Sequence, residues 1–165
     1  MTRAPFQVLI FPFCRTDKDF EYAIFRRTDA GYWQGIAGGG EGGETPLEAA
    51  RREGEEEAGI SAESHYVALD SVSKMPVEGV VGTLLWGKDV VVIPEYCFGV
   101  EVVGRKLALS PEHSEYQWVP YDTAMDMLHW DSNKIALSEL NHRVLRQSKR
   151  LAPATSNRAK PSKRK

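Results

Sequence analysis

Between Gly38 and Ile60 the chain reads GGGEGGETPLEAARREGEEEAGI, a glycine-dense stretch that runs straight into a series of Ala, Arg and Glu. At about 100° per helical residue, Glu53, Glu56 and Glu57 fall within an arc of roughly 100° on one helix face, so three carboxylates converge. Like charges that close raise one another's pKa, and the cluster is costly unless a cation occupies it. Magnesium suits the position, with manganese as its substitute. It takes hard oxygen ligands, keeps several waters, and is typically shared between a few carboxylates and substrate phosphates. A solvated Glu-rich face is the competing reading. Three neighbours weigh against it: a glycine-dense loop that permits close backbone approach, Arg52 beside the acids, and small residues beneath them. Arg52 is expected to orient a carboxylate through paired hydrogen bonds, a fork that Lys cannot reproduce. Glu55 points away from the cluster and reads as solvated.

The elements that must position these groups follow from local signals. Thr45 can cap the helix, Pro46 fits its first turn and Gly59 suits its end, which predicts a helix from Pro46 to Ala58. On it, Leu47, Ala50, Gly54 and Ala58 form a stripe expected to pack on a sheet. Upstream, residues 6–13 and 21–27 are β-rich runs separated by a charged stretch, as in a hairpin. Downstream strands are expected over 65–72, 90–93, 96–103 and 116–119. From Asp122 the pattern becomes helical, with Leu137, Leu140 and Val144 at helical spacing. The fold class is therefore α/β, a mixed β-sheet sandwiched between helices. Residues 73–89 are Gly-rich and poorly periodic, and are expected to form a lid or specificity loop.

With 165 residues, 42% hydrophobic and 27% charged, one globular domain is expected. There is no long apolar run, and the first residues lack the features of a signal peptide, so a soluble cytoplasmic protein without membrane association is the expectation. Cys14 and Cys97 sit in apolar strand-like segments without metal-ligand spacing and read as buried thiols. The net charge of -2 conceals an asymmetry. Residues 148–165 carry seven Lys or Arg and no acid, leaving residues 1–147 with 14 basic and 23 acidic residues, a net of -9. Residues 1–147 are thus expected to form the folded domain and residues 148–165 a basic disordered tail. An acidic body argues against a dedicated nucleic-acid binder. Whether copies associate as a homo-oligomer is left open.

The helix and its flanks closely resemble the signature of the Nudix hydrolases: Gly, five residues, Glu, seven residues, Arg-Glu, an apolar residue, any residue, Glu-Glu, any residue, Gly and an apolar residue. Gly38, Glu44, Arg52, Glu53, Glu56, Glu57, Gly59 and Ile60 meet it. The one departure is Gly54 at the apolar position, which is expected to loosen the helix by about 1 kcal/mol relative to Ala without removing an acid or the Arg. From Phe6 to Val144, Arg26-Arg27, Tyr32-Trp33-Gln34, PEHSEYQWV and WDSNKIAL are similar to the bacterial branch that acts on dihydroneopterin triphosphate and dATP.

That resemblance implies a Nudix-like fold and in-line attack of water on phosphorus in a small-molecule nucleotide or pterin phosphate, with magnesium neutralising charge on the phosphate oxygens. Glu53, Glu56, Glu57 and a backbone carbonyl near Gly38 would hold the metal, joined by Glu112, which matches a glutamate near the metals in that branch. Glu112 and Glu56 are the two candidates for general base, with Glu115 behind them and His113 read as a structural or substrate-edge residue. Glu44 is left open between a helix-start acid and a ligand. Arg26 and Arg27 alternate on a strand, so at most one is expected to meet phosphate. Trp33 and Trp130 can stack on a planar head group, with Gln34 and Asn133 near its edge, or serve the core instead. The implied products are a monophosphate and pyrophosphate. The alternatives are hydrolysis of ADP-ribose and similar nucleoside diphosphate compounds or of dinucleoside polyphosphates, and a domain that binds nucleotide without cutting it.

Overall fold

Seven strands and three α-helices follow one another in a computed structural model that describes residues 2–79 and 85–153. The strands are β1 (Arg3–Arg15), β2 (Phe20–Arg27), β3 (Trp33–Gln34), β4 (Ile36–Glu41), β5 (Tyr66–Pro76), β6 (Val92–Glu101) and β7 (His113–Pro120). The helices are α1 (Pro46–Ala58), α2 (Tyr121–Met127) and α3 (Asp131–Leu151). The strands form one mixed sheet in the order β3-β2-β1-β6-β5, with β4 also paired to β1 and β7 to β2. β1 runs parallel to β6 from Gln7 to Phe13 along one edge. Its other edge is divided: Gln7 to Ile10 pair with β4, and Phe13 to Arg15 pair with β2. The sheet therefore opens between β4 and β2, at the Ile36 end of β4.

β1 reads as an unbroken apolar run because it is covered on both faces. Leu9, Phe11 and Phe13 join Tyr22 and Ile24 under Ala136, Leu137, Leu140 and Val144 of α3. Val8 and Ile10 join Ala23, Phe25 and Ile36 beneath Ala49, Ala50 and Ala58 of α1. The expected sandwich is thus present, with α1 on one side and α2 and α3 on the other. Cys14 and Cys97 are buried free thiols. No described helix is long and apolar enough to cross a membrane.

α1 begins and ends where its caps dictate. Thr45 and Glu48 form a reciprocal capping box, and Gly59 closes the helix at φ 65°. Its packing stripe differs from expectation at one place: Leu47 is 37% exposed, and Ala49 takes the inward position in the first turn. Gly54 has a positive role. A Cβ there would overlap the Tyr66 hydroxyl, so glycine leaves room for that hydroxyl between the helix and β5.

Three further differences appear. β5 continues through Pro76, so the first residues of the expected 73–89 loop are strand, held by pairing to β6 at Ser73↔Glu95 and Met75↔Ile93. Residues 80–84 of that stretch lie outside the described residues. The two strands expected over 90–93 and 96–103 are one, β6. Pro94 is tolerated within it because β1 pairing begins only at Glu95. At the C-terminal end, α3 runs to Leu151, carrying helix into the first residues of the expected tail. Residues 154–165 lie outside the described residues.

Candidate active site

β4 lies directly beneath α1, and a glycine makes that approach workable. A Cβ on Gly38 would overlap the carboxylate of Glu53, so only glycine admits the acid against the strand backbone. One residue on, the carbonyl of Gly39 accepts a hydrogen bond from Arg52 Nη2 at 2.9 Å. Arg52 is the hub of the site. Its Nε and Nη2 grip both oxygens of Glu44 at 2.8 and 3.0 Å, and its Nη1 reaches Glu53 at 2.7 Å and Glu56 at 3.3 Å. Glu44 also accepts the backbone N–H of Glu41 at 2.8 Å, which fixes the loop before α1. Arg52 holds the Glu44 carboxyl below its ordinary value, and the surrounding acids raise the Arg52 guanidinium. Both Glu44 oxygens are committed to this clasp.

Glu53 and Glu57 are buried side by side one turn apart, while the Glu56 side chain is 59% exposed. Burial raises the pKa of both inner acids. For Glu57 the charges of Glu53 and Glu112 add to the effect, whereas Arg52 partly offsets it at Glu53. One Glu57 oxygen, Oε2, is buried without a hydrogen-bond partner among the described residues.

The opposite wall is the start of β7. The backbone N–H of Ser110 bonds the Glu57 carbonyl at 3.2 Å and Thr28 N–H bonds the Glu112 carbonyl at 2.9 Å, fastening this loop to α1 and to the end of β2. Glu112 thereby comes beside Glu57, and its carboxylate accepts a bond from Arg27 Nη1 at 3.3 Å. Arg27 is otherwise clamped by Asp29 through two bonds of 3.0 and 2.7 Å. Arg26 points elsewhere and bonds the Gly31 carbonyl at 3.0 Å. His113 packs against Phe25 with its Nδ1 3.6 Å from Glu57 Oε2, and burial together with Arg27 lowers its pKa. Glu115 is exposed and sits opposite Arg26 in the ladder, away from the acids.

The expected head-group residues lie on the other side of the sheet opening. Asn133 is buried, and its Oδ1 accepts the Gly35 N–H at 2.9 Å, pinning the β3–β4 junction to α3. Trp33 is half-buried against the apolar layer under α3, and Gln34 is buried. Trp130 is 43% exposed and stands edge-on to both Tyr32 and His129, which stack on each other at 4.6 Å. The structure thus gathers Gly38, Arg52, Glu53, Glu56, Glu57, Glu112 and Arg27 around one opening. Trp33, Trp130 and Asn133 form a second group, and Arg26 is left apart. The paired hydrogen bonds expected of Arg52 are present, but sequence reasoning did not name Glu44 as the carboxylate they hold, although their spacing in the signature was a signal for it. It also overlooked the polar row Gln7–Glu95, for which the only sign was a lone acid within an apolar strand.

The donor set suits a hard divalent cation. The acids gathered here, Glu53, Glu56, Glu57 and Glu112, offer only oxygen atoms, and among the described residues one buried carboxylate oxygen, Glu57 Oε2, lacks a partner. Among the described residues no three of these acids are already drawn to metal-ligand spacing. The inner pair, Glu53 and Glu57, is preassembled, and Glu56 and Glu112 stand at its open side.

The family model for the NUDIX domain matches residues 7–139. Among solved structures, a candidate NUDIX hydrolase from Listeria monocytogenes is 40% identical over 87% of this chain and 97% of its own, with a TM-score of 0.79. The dihydroneopterin triphosphate pyrophosphohydrolase of E. coli is 21% identical over 87% of this chain and 99% of its own, at a TM-score of 0.71. An Ap4A hydrolase of C. elegans is 16% identical over 84% and 98%, at 0.62. No curated protein matches the chain.

Proposed function

The chain belongs to the Nudix hydrolases and is a pyrophosphohydrolase acting on acid anhydrides; from that premise we propose that it cleaves a nucleoside or pterin triphosphate in a magnesium-dependent reaction, releasing a monophosphate and pyrophosphate. The observation that carries the metal dependence is the buried Glu53–Glu57 pair, held against Gly38 with an unpartnered oxygen, which is costly in the absence of a cation. The substrate class is supported by the likeness of Glu112-His113, Trp33-Gln34 and Trp130 to Asn133 to the branch that includes the E. coli enzyme.

A divalent ion bound by these acids would neutralise charge on the phosphate oxygens and make the attacking water more acidic. The protein's own groups do the rest. Arg52 keeps Glu53 and Glu56 in place, and its bidentate hold on Glu44 fixes its own orientation. Glu112 and Glu56, the more solvent-accessible acids, are the ones able to take a proton from water at the open side. Arg27 sits beside Glu112 and presents a guanidinium to an incoming phosphate.

The test is a panel of dNTPs, dihydroneopterin triphosphate, ADP-ribose and dinucleoside polyphosphates, assayed with Mg²⁺ and with chelator. Triphosphate cleavage that stops with chelator, falls by about two orders of magnitude in Glu57→Gln and persists in Glu55→Gln is expected. Cleavage of ADP-ribose alone, or near-normal turnover in Glu57→Gln, would overturn the proposal. Binding of nucleotide without any cleavage would point to a sensor domain.

A further inference from the structure

α3 runs across its side of the sheet between two anchored ends. It crosses from the β3–β4 junction, where Asn133 holds Gly35, to β5, where Glu139 accepts the backbone N–H groups of Asp70 and Ser71 at 2.7 Å each. Beyond that line the same sheet face continues over the start of β1, the start of β6 and the end of β4. There it carries a polar row. Gly39, Gln7 and Glu95 are direct partners across β4, β1 and β6. Gln7 and Glu95 lie two residues before Leu9 and Cys97, both in the core layer under α3, so strand alternation places the row on that face.

The row is built and incompletely satisfied. Glu95 is 2% exposed, its Oε2 accepts Gln7 Nε2 at 2.9 Å, and its Oε1 has no partner among the described residues. At the opposite end the Arg3 guanidinium lies across Gly39 so closely that a Cβ there would overlap it, and Arg3 Nε is likewise buried without a partner among the described residues. A buried carboxyl oxygen without a donor and a buried guanidine N–H without an acceptor each cost desolvation energy that only a ligand or water can return. Burial also raises the Glu95 carboxyl above its ordinary value, partly offset by the Gln7 bond, as expected of a group short of donors. At about 4.8 Å per strand the row spans about 10 Å, the width of a fused two-ring heterocycle and its hydrogen-bond partners. Gly38 and Gly39 face opposite sides of β4, so this strand is the common wall of the row and of the carboxylate site.

We propose that Arg3, Gln7 and Glu95 read the edge of the substrate's head group and select a lactam–amine heterocycle, of the guanine or pterin class, over adenine. The inference rests on the triphosphatase reading above and narrows its substrate class. Such a head presents a carbonyl beside a ring N–H and an exocyclic amine. The carbonyl accepts from Arg3 and Gln7, while the N–H groups donate to Glu95 Oε1. Adenine presents an acceptor nitrogen where the lactam has its N–H, which leaves the Glu95 oxygen facing a lone pair.

The experiment separates recognition from turnover. GMP and AMP are titrated calorimetrically onto the full chain in the presence of chelator, and kcat/KM is measured for dGTP and dATP with Mg²⁺. Wild type is expected to bind GMP about ten-fold or more tighter than AMP, and Glu95→Gln to erase that ratio and to raise KM for dGTP more than it lowers kcat. Arg3→Gln, on a less buried residue, should lower GMP affinity in the same direction and serves as the second variant if Glu95→Gln fails to fold. An unchanged GMP-to-AMP ratio in both variants, or no preference in wild type, overturns the proposal. Triphosphate cleavage that ignores Glu95 would leave the broader function standing. Glu95-dependent GMP binding without cleavage would sustain the recognition and remove the function.

Discussion

Glu57 links the stability of the metal-free protein to pH, and replacing it should make that protein more stable. The group sits beside Glu53 in a buried site, and its pKa is raised chiefly by burial. A carboxyl whose folded pKa lies above its unfolded value contributes fully below about pH 4.5, and its contribution is lost as pH rises toward the folded value. Each unit of elevation is worth about 1.4 kcal/mol, so at pH 8 the ceiling is about 5 kcal/mol, reached only when the proton is retained throughout. Because one proton shared with Glu53 relieves much of the repulsion, about 1–3 kcal/mol is the working value. Gln has the same shape and no charge. In chelator at pH 8, Glu57→Gln should therefore raise Tm by about 3–10 °C, and the gain should shrink toward zero near pH 4.5. Mg²⁺ should raise the wild-type Tm and leave the variant nearly unmoved. Scanning calorimetry at several pH values with and without Mg²⁺ reads both effects. A lower Tm for the variant, or a gain that does not change with pH, would refute the reasoning.

Three other outcomes follow from particular contacts. Gly54→Ala should lower Tm, because the overlap with the Tyr66 hydroxyl costs about 1–3 kcal/mol and exceeds the helix-propensity gain of about 1 kcal/mol. Tyr66→Phe, which removes a hydroxyl without a partner, should rescue it in the double variant by calorimetry. Arg52→Lys should lower kcat by about ten- to hundred-fold in a steady-state assay with the fold intact, since Lys cannot hold both Glu44 oxygens and still reach Glu53. Ending the chain after Leu151 should leave Tm and small-substrate turnover unchanged, and a large fall in Tm would show that the basic tail docks on the acidic body.

What was legible in the sequence was mostly local. The bounds of α1 follow from Thr45, Pro46 and Gly59, whose effects act within one turn, and β1 announces itself because both its faces are buried. The shared face of Glu53, Glu56 and Glu57 likewise needs only helical periodicity. Properties that depend on distant partners were hidden. The strand residues Ser73 to Pro76 look like loop until β6 pairs with them, and Pro94 seems to break β6 until β1 is seen to pair only from Glu95. Gly54 reads as a weakness of the helix, yet Tyr66, on another strand, requires it. Glu44 was ambiguous because its partner is eight residues away across a loop that must fold back. Glu95 drew no attention, since burial of one carboxyl depends on strands far apart in sequence.

The most direct measurement of the central claim is product analysis of dGTP, dATP and dihydroneopterin triphosphate turnover in Mg²⁺ and heavy-oxygen water. Monophosphate and pyrophosphate are the predicted products, with the label in the monophosphate when water attacks the phosphorus nearest the head group. Label in pyrophosphate would move the attack to the middle phosphorus while keeping the bond assignment. Release of inorganic phosphate and a diphosphate, or cleavage that continues in chelator, would contradict the claim.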